Sequence, residues 1–186
     1  MHVPLFTITL TISVLLTGSF LWSVLFPRNR IWPPPGWKSW QFWCVWILTV
    51  SSLAGFFTVS LLNWNLFVFP HWSRFVIGGA IFLGGTLFAL WGVVTLGLHT
   101  AAGLEGELVT RGPYRCSRNP QYFGDFGVLL GWAIISNSLL TLILAGIGIL
   151  CFYLAVMCEE PWLREQFGDR YEAYRRSVAR FIGCKD

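Results

Sequence analysis

The sequence predicts an all-α integral membrane bundle of about five transmembrane helices, with an amphipathic C-terminal helix on the cytosolic side. Three observations predict it. Of 186 residues, 55% are hydrophobic and only 12% charged, a balance for which water is a poor solvent. Several uncharged stretches are long enough to cross a bilayer core of roughly 30 Å, which takes about 20 helical residues. The 13 Lys and Arg residues gather in alternate loops.

The first span is expected over 5–26, which carries no charge. It is longer than a signal-peptide core and lacks a basic start, so it is expected to stay in the chain. The second lies within 39–73, with Pro70 closing its helical part. The third covers 75–98, where the pairs Ala80/Gly84 and Gly85/Ala89 suit close helix packing. The run 126–158 holds 33 uncharged residues, about 50 Å as one helix, and must fold back. Its break is expected at Ser136, Asn137 and Ser138, whose side chains compete with helical hydrogen bonds. The fourth span then begins near Pro120 or Gln121 and is short, about 15 residues, forming a tight hairpin with the fifth. These elements form a single membrane domain, read as a three-span region 1–97 and a chemically equipped region 98–186.

Orientation follows from the basic residues. With the N-terminus outside, the first loop holds Arg28, Arg30 and Lys38, and the third holds Arg111, Arg115 and Arg118. The tail adds Arg164, Arg170, Arg175, Arg176, Arg180 and Lys185, leaving Arg74 alone outside. Positive loops stay cytoplasmic. The net charge of +4 is therefore read as topology and contact with membrane lipids, not nucleic-acid binding. Trp22, Trp32, Trp37, Trp40, Trp64 and Trp72 sit near span ends and are read as interfacial anchors. The five cysteines have no paired metal-ligand spacing, so no metal site is expected, and Cys184 lies one residue too close to the end for prenylation.

Two cytosolic segments, 98–123 and 159–186, hold nearly every group able to do chemistry. In the first, Pro113 and Pro120 fix the backbone while Gly112 and Gly124 allow close approach, giving an ordered loop. Asp125 is read as a carboxylate in the first turn of span four. In the second, Glu159 and Glu160 precede Pro161. Leu163, Phe167, Tyr171, Tyr174, Val178 and Phe181 then recur at helical spacing, the apolar face of a helix expected to lie on anionic lipid.

The series Gly112, Tyr114, Arg118, Pro120, Tyr122, Gly124, followed by Glu159, Glu160, Leu163, Phe167, Gly168, Tyr171, Tyr174 and Val178, resembles the isoprenylcysteine carboxyl methyltransferase family. More loosely, it is similar to phospholipid N-methyltransferases. The likeness covers about residues 99–181. It implies transfer of a methyl group from S-adenosylmethionine, leaving S-adenosylhomocysteine, to a lipophilic or lipidated acceptor that enters from the membrane.

By the same resemblance, His99, Leu108, Val109, Tyr114, Arg118, Asn119, Pro120 and Tyr122 are expected to bind the cofactor. Glu159 and Glu160 are expected at the acceptor, with Glu159 as candidate base. Asn119 stands where the family motif carries a histidine, so it is assigned binding only. Ala155 stands where the eukaryotic carboxyl methyltransferases carry an arginine, which weakens a prenylcysteine carboxylate as acceptor, although that acceptor is still ranked first. The alternatives are phospholipid or other amine N-methylation and, outside enzymes, a small transporter or lipid-binding protein.

Overall fold

A computed structural model describes residues 3–67 and 71–183. Its long elements are all helices: α1 Val3–Leu25, α2 Trp40–Leu62, α3 Ser73–Leu96, the single turn α4 Leu98–Ala101, α5 Pro120–Ser136, α6 Leu139–Phe167 and α7 Asp169–Ser177. Helices α1, α2, α3 and α6 are long and apolar enough to cross a membrane. Helix α5 has 17 residues, about 26 Å, and is the short arm of the expected hairpin. The chain is a membrane helical bundle. Pro70, Cys184 and Lys185 lie outside the described residues.

The hairpin breaks where the polar residues stand. Asn137 takes a left-handed conformation (φ 48°) and caps α5, and the Ser138 hydroxyl accepts a bond from Thr141 N–H to start α6. Helix α2 stops at Leu62, eight residues before Pro70, the expected close of its helical part. Asn63 directs both its backbone and side-chain N–H groups to Val59 O, and Asn65 follows at φ 58°. Arg74, expected in a loop, is buried at 8% exposure in the first turn of α3. It donates to Asn65 Oδ1 and lies over the Phe75 ring, so its charge is held by a dipole and a π-face.

Helices α3 and α5 run antiparallel in close contact, but only one of the two small-residue pairs serves that contact. Ala80 and Gly84 are exposed. Gly78, Gly85, Ala89 and Gly92 instead face Gly131, Gly127, Gly124 and the start of α5. A Cβ on Gly131 would lie 2.4 Å from Phe82 N, and one on Gly124 2.5 Å from Ala89 N, so backbone meets backbone. Helix α1 packs between α2 and α6, tied by Ser13 to Ser52 and by the Cys158 thiol to Phe20 O. Helices from either side of residue 97 thus interleave.

The C-terminal reading needs correction. Helix α6 runs through Glu159, Glu160 and Pro161 to Phe167, about 43 Å, and stands well beyond the bilayer core. Gly168 (φ 52°) ends it, and α7 is a separate short helix. The apolar face of this segment does not lie on lipid. Tyr171, Tyr174 and Val178 form a core with Tyr114, flanked by Leu108, Leu163 and Phe167, while Phe181 packs among Phe123, Phe126 and Tyr153.

Candidate functional site

The loop between α3 and α5 is shaped by glycines and fastened by the tail. Gly97 (φ 87°) ends α3, and Gly103 (φ 82°) lies against the Trp32 ring, which a Cβ there would meet at 2.3 Å. Gly112 (φ 59°) opens the 3-10 turn Gly112–Arg115. Beyond it, Arg118 N–H donates to Ala179 O, Gly183 N–H to Cys116 O, and the Asn119 amide to Arg180 O. The Tyr174 hydroxyl, buried, donates to Tyr114 O at 2.7 Å. Burial pushes the phenols of Tyr114 and Tyr174 well above the usual range, and that of Tyr171 up to about 12, so all three are neutral at ordinary pH.

Between this loop, α6 and α7 lies a cavity whose empty space, including the part open to the outside, is about 730 Å³. Of the residues expected at the cofactor, Leu108, Val109, Tyr114, Arg118, Asn119 and Tyr122 line it, together with Glu159. His99 is exposed and is not among the lining residues, and Pro120 is buried under Gly92 as the first residue of α5. Gln121, Trp162, Gln166, Phe167, Tyr171 and Tyr174 also line the cavity and went unassigned in the sequence reading. The signal for the last three was their helical recurrence, read there as a lipid-facing stripe.

The adjacent carboxylates part company. Successive helical residues point about 100° apart, so each finds separate partners. Glu160 turns to Arg118 (3.0 Å) and to a two-bond contact with Arg180 (2.8 and 3.0 Å), which holds the Arg180 guanidinium above its usual range. Glu159 Oε1 accepts from the Trp32 indole (2.7 Å) and from the Tyr122 hydroxyl. Among the described residues its Oε2 has no protein partner. Trp32 is therefore no interfacial anchor: it is 4% exposed, and Ser23 Oγ accepts from the backbone N–H groups of Ile31 and Trp32. A tryptophan near a span end looks the same in sequence whichever way its ring turns.

The donor set suits S-adenosylmethionine. Apolar and aromatic walls match a nucleoside, and a carboxylate oxygen without a protein partner suits a cationic or proton-bearing group. Arg118 Nε, buried without a partner, is a donor suited to the cofactor's carboxylate.

A second cavity of about 850 Å³ opens deeper in the bundle, between α1, α2, α5 and α6. It shares Ala101, Gln121 and Tyr122 with the first, while Trp32 and Asp125 belong to it alone. Phe20, Val45, Leu53, Phe57 and Phe152 make the rest of its wall largely apolar. Asp125 falls in the second turn of α5, not the first, too far in for the helix N-terminus to be its explanation.

A family model described as phospholipid methyltransferase matches residues 73–170. The chain is 30% identical over 130 residues to phosphatidylethanolamine N-methyltransferase of Rattus norvegicus, covering 70% of this chain and 55% of that protein. Phosphatidylethanolamine N-methyltransferase B of Dictyostelium discoideum is 30% identical over 116 residues, 57% of this chain and 56% of that one. Steroid 5-alpha-reductase DET2 of Solanum lycopersicum is 31% identical over 118 residues, 60% of this chain and 43% of that one. The chain spans about half the length of the curated relatives it matches. No solved structure matches.

Proposed function

This chain belongs to the phospholipid methyltransferase family, and from that premise we propose that it carries a methyl group from S-adenosylmethionine to the nitrogen of a lipophilic amine drawn from the membrane. One observation carries the reading: a cavity that holds Arg118, Asn119 and Glu159 among apolar walls and a deeper one lined mainly by apolar side chains meet at Tyr122, whose hydroxyl holds Glu159 at their boundary. The amine reading takes the place of the prenylcysteine carboxylate ranked first from sequence. The N-methyltransferase relatives favour it, as does Ala155 where that family's arginine would stand.

When bound, the cofactor supplies an electrophilic methyl on a sulfonium. Leu108, Val109 and Tyr114, which line the cavity, would flank the nucleoside, and Arg118 Nε, buried without a protein partner, would donate to the cofactor's carboxylate. An amine reacts through its lone pair, so a bound ammonium must first lose a proton. Glu159 Oε2 accepts it while Trp32 and Tyr122 fix Oε1, and the proton leaves through the open side of the outer cavity. Such a base contributes about 10²–10⁴-fold, and holding both reactants in place away from water contributes more. Glu160 acts indirectly by locking Arg118. The cavity faces the cytosol in this reading, with the N-terminus outside.

The test is calorimetric titration of S-adenosylmethionine and S-adenosylhomocysteine into purified protein, with Tyr114→Ala and Glu159→Gln beside wild type. Saturable binding near micromolar, about −8 kcal/mol, is expected, weakened by Tyr114→Ala. Glu159→Gln keeps binding and lowers methyl transfer to lipid amines by about 10²-fold or more. Folded wild type that binds neither compound, in lipid or in detergent, refutes the reading. NADPH is the control, since a reductase would need a reductant in place of a methyl donor.

A further inference from the structure

Asp125 is a carboxylate on α5 of this membrane bundle, lining a largely apolar cavity, and among the described residues it has no ion pair or hydrogen bond from protein. An ionisable group in apolar surroundings is costly and persists where something compensates it. Arg74, at the other end of the bundle, shows what compensation by protein looks like: an amide oxygen and an aromatic face. Asp125 lacks any counterpart.

Its place on α5 supplies the rest. Gln121, Tyr122, Asp125, Val128 and Leu129 stand at positions i, i+1, i+4, i+7 and i+8, so a single stripe of the helix lines the deeper cavity. Tyr122 and Gln121 stand where the two cavities join, and Asp125 lies one turn, about 5 Å, further in. Helix α2, which makes the facing wall, packs chiefly on α1 and touches α5 little, leaving the cavity room for a chain.

On the reading that the deeper cavity receives the acceptor, we infer that Asp125 is the counter-ion for the acceptor's ammonium group and thereby selects cationic headgroups against anionic ones. A protonated amine entering from the bilayer meets a carboxylate of opposite sign in a site that screens poorly, one helical turn from Tyr122, which holds Glu159. A carboxylate-bearing amphiphile of the same length meets a like charge. Asp125 forms no bond with the acceptor and breaks none; it is a positioning residue. The proton lost before reaction goes to Glu159.

The experiment uses purified full-length protein in neutral-lipid nanodiscs and three probes of one chain length: 11-bromoundecylammonium, 11-bromoundecanol and 11-bromoundecanoate. Bromine quenches tryptophan, and Trp32 and Trp46 line the cavity. Trp46→Phe, which removes one reporter, identifies the quenching that arises there. Wild type is expected to bind the ammonium probe at least tenfold more tightly than the alcohol, and the carboxylate most weakly. Asp125→Asn, nearly isosteric, is expected to bring the three within about threefold of one another. Equal affinities in wild type, or an order unchanged by Asp125→Asn, overturn the inference. Cofactor titration of the same samples separates the two claims. Cofactor binding without ammonium preference refutes the role of Asp125 alone, whereas ammonium preference without cofactor binding refutes the methyltransferase reading and leaves the counter-ion.

Discussion

Replacing Glu160 by Gln should destabilise this protein more than replacing Arg118 by Met, although each removes one half of the same contact. The Arg118–Glu160 pair is 3.0 Å long, and its side chains are 5% and 11% exposed, so solvent screens it little. Glu160→Gln leaves the Arg118 guanidinium buried without a counter-charge, a loss of about 3–5 kcal/mol. Arg118→Met leaves Glu160 still held by both bonds from Arg180, and costs about 1.5–3 kcal/mol, one hydrogen bond to a charged group. In the double variant the stranded charge is gone, so it should be more stable than the sum of the single losses predicts, by about 1–3 kcal/mol. Unfolding in mixed micelles with increasing sodium dodecyl sulfate, followed by tryptophan fluorescence, measures all three. Additive losses, or an Arg118→Met cost equal to that of Glu160→Gln, would show that Arg118 is not held in this way. An Arg118→Met protein of unchanged stability that no longer binds the cofactor would give Arg118 a purely ligand-facing role.

Three further outcomes follow from the packing and burial. Gly131→Ala, whose Cβ would lie 2.4 Å from Phe82 N, should cost about 1–3 kcal/mol in the same assay, while Gly84→Ala, in open space, should stay within about 0.5 kcal/mol of wild type. Tyr174→Phe removes the donor to Tyr114 O and should cost about 0.5–1.5 kcal/mol while weakening cofactor binding, because the Tyr114 turn loses its tether; unchanged affinity would separate that turn from the site. The Tyr171 phenol is pushed from 10.0 to about 12 by burial first, then by Glu160. Its contribution to stability is therefore complete below pH 10 and lost between about pH 10 and 12; Tyr171→Phe should flatten that alkaline fall, and an unaltered slope would count against it.

Much of this architecture was legible because the bilayer imposes a simple rule on composition. The uncharged runs gave the helices, and Ser136, Asn137 and Ser138 gave the hairpin, since three polar side chains in an apolar run have few other uses. The candidate site was legible where the motif spacing is local: Tyr114, Arg118 and Tyr122 sit on one loop and helix start and line one cavity. Partners distant in sequence stayed hidden. Nothing in the run around Trp32 announces that its indole meets Glu159, 127 positions later. Likewise the apolar stripe from Leu163 to Phe181 says that something covers it, and not whether lipid or protein does. Nor does the sequence around Pro161, which lacks the N–H an interior helical residue donates, announce that α6 continues through it.

The tightness of the hairpin at Asn137 has a consequence for how the gene can vary. Helices α5 and α6 leave that turn with no slack between them, and Tyr122 and Glu159 must still meet at the far end. Deleting one residue from the roughly 20 between Leu139 and Glu159 would turn everything beyond it by about 100° and draw it back by about 1.5 Å. The carboxylate would then face the wrong wall. Length changes here should be rare among relatives. The hairpin acts as the zero mark of a ruler along which the chemistry is set.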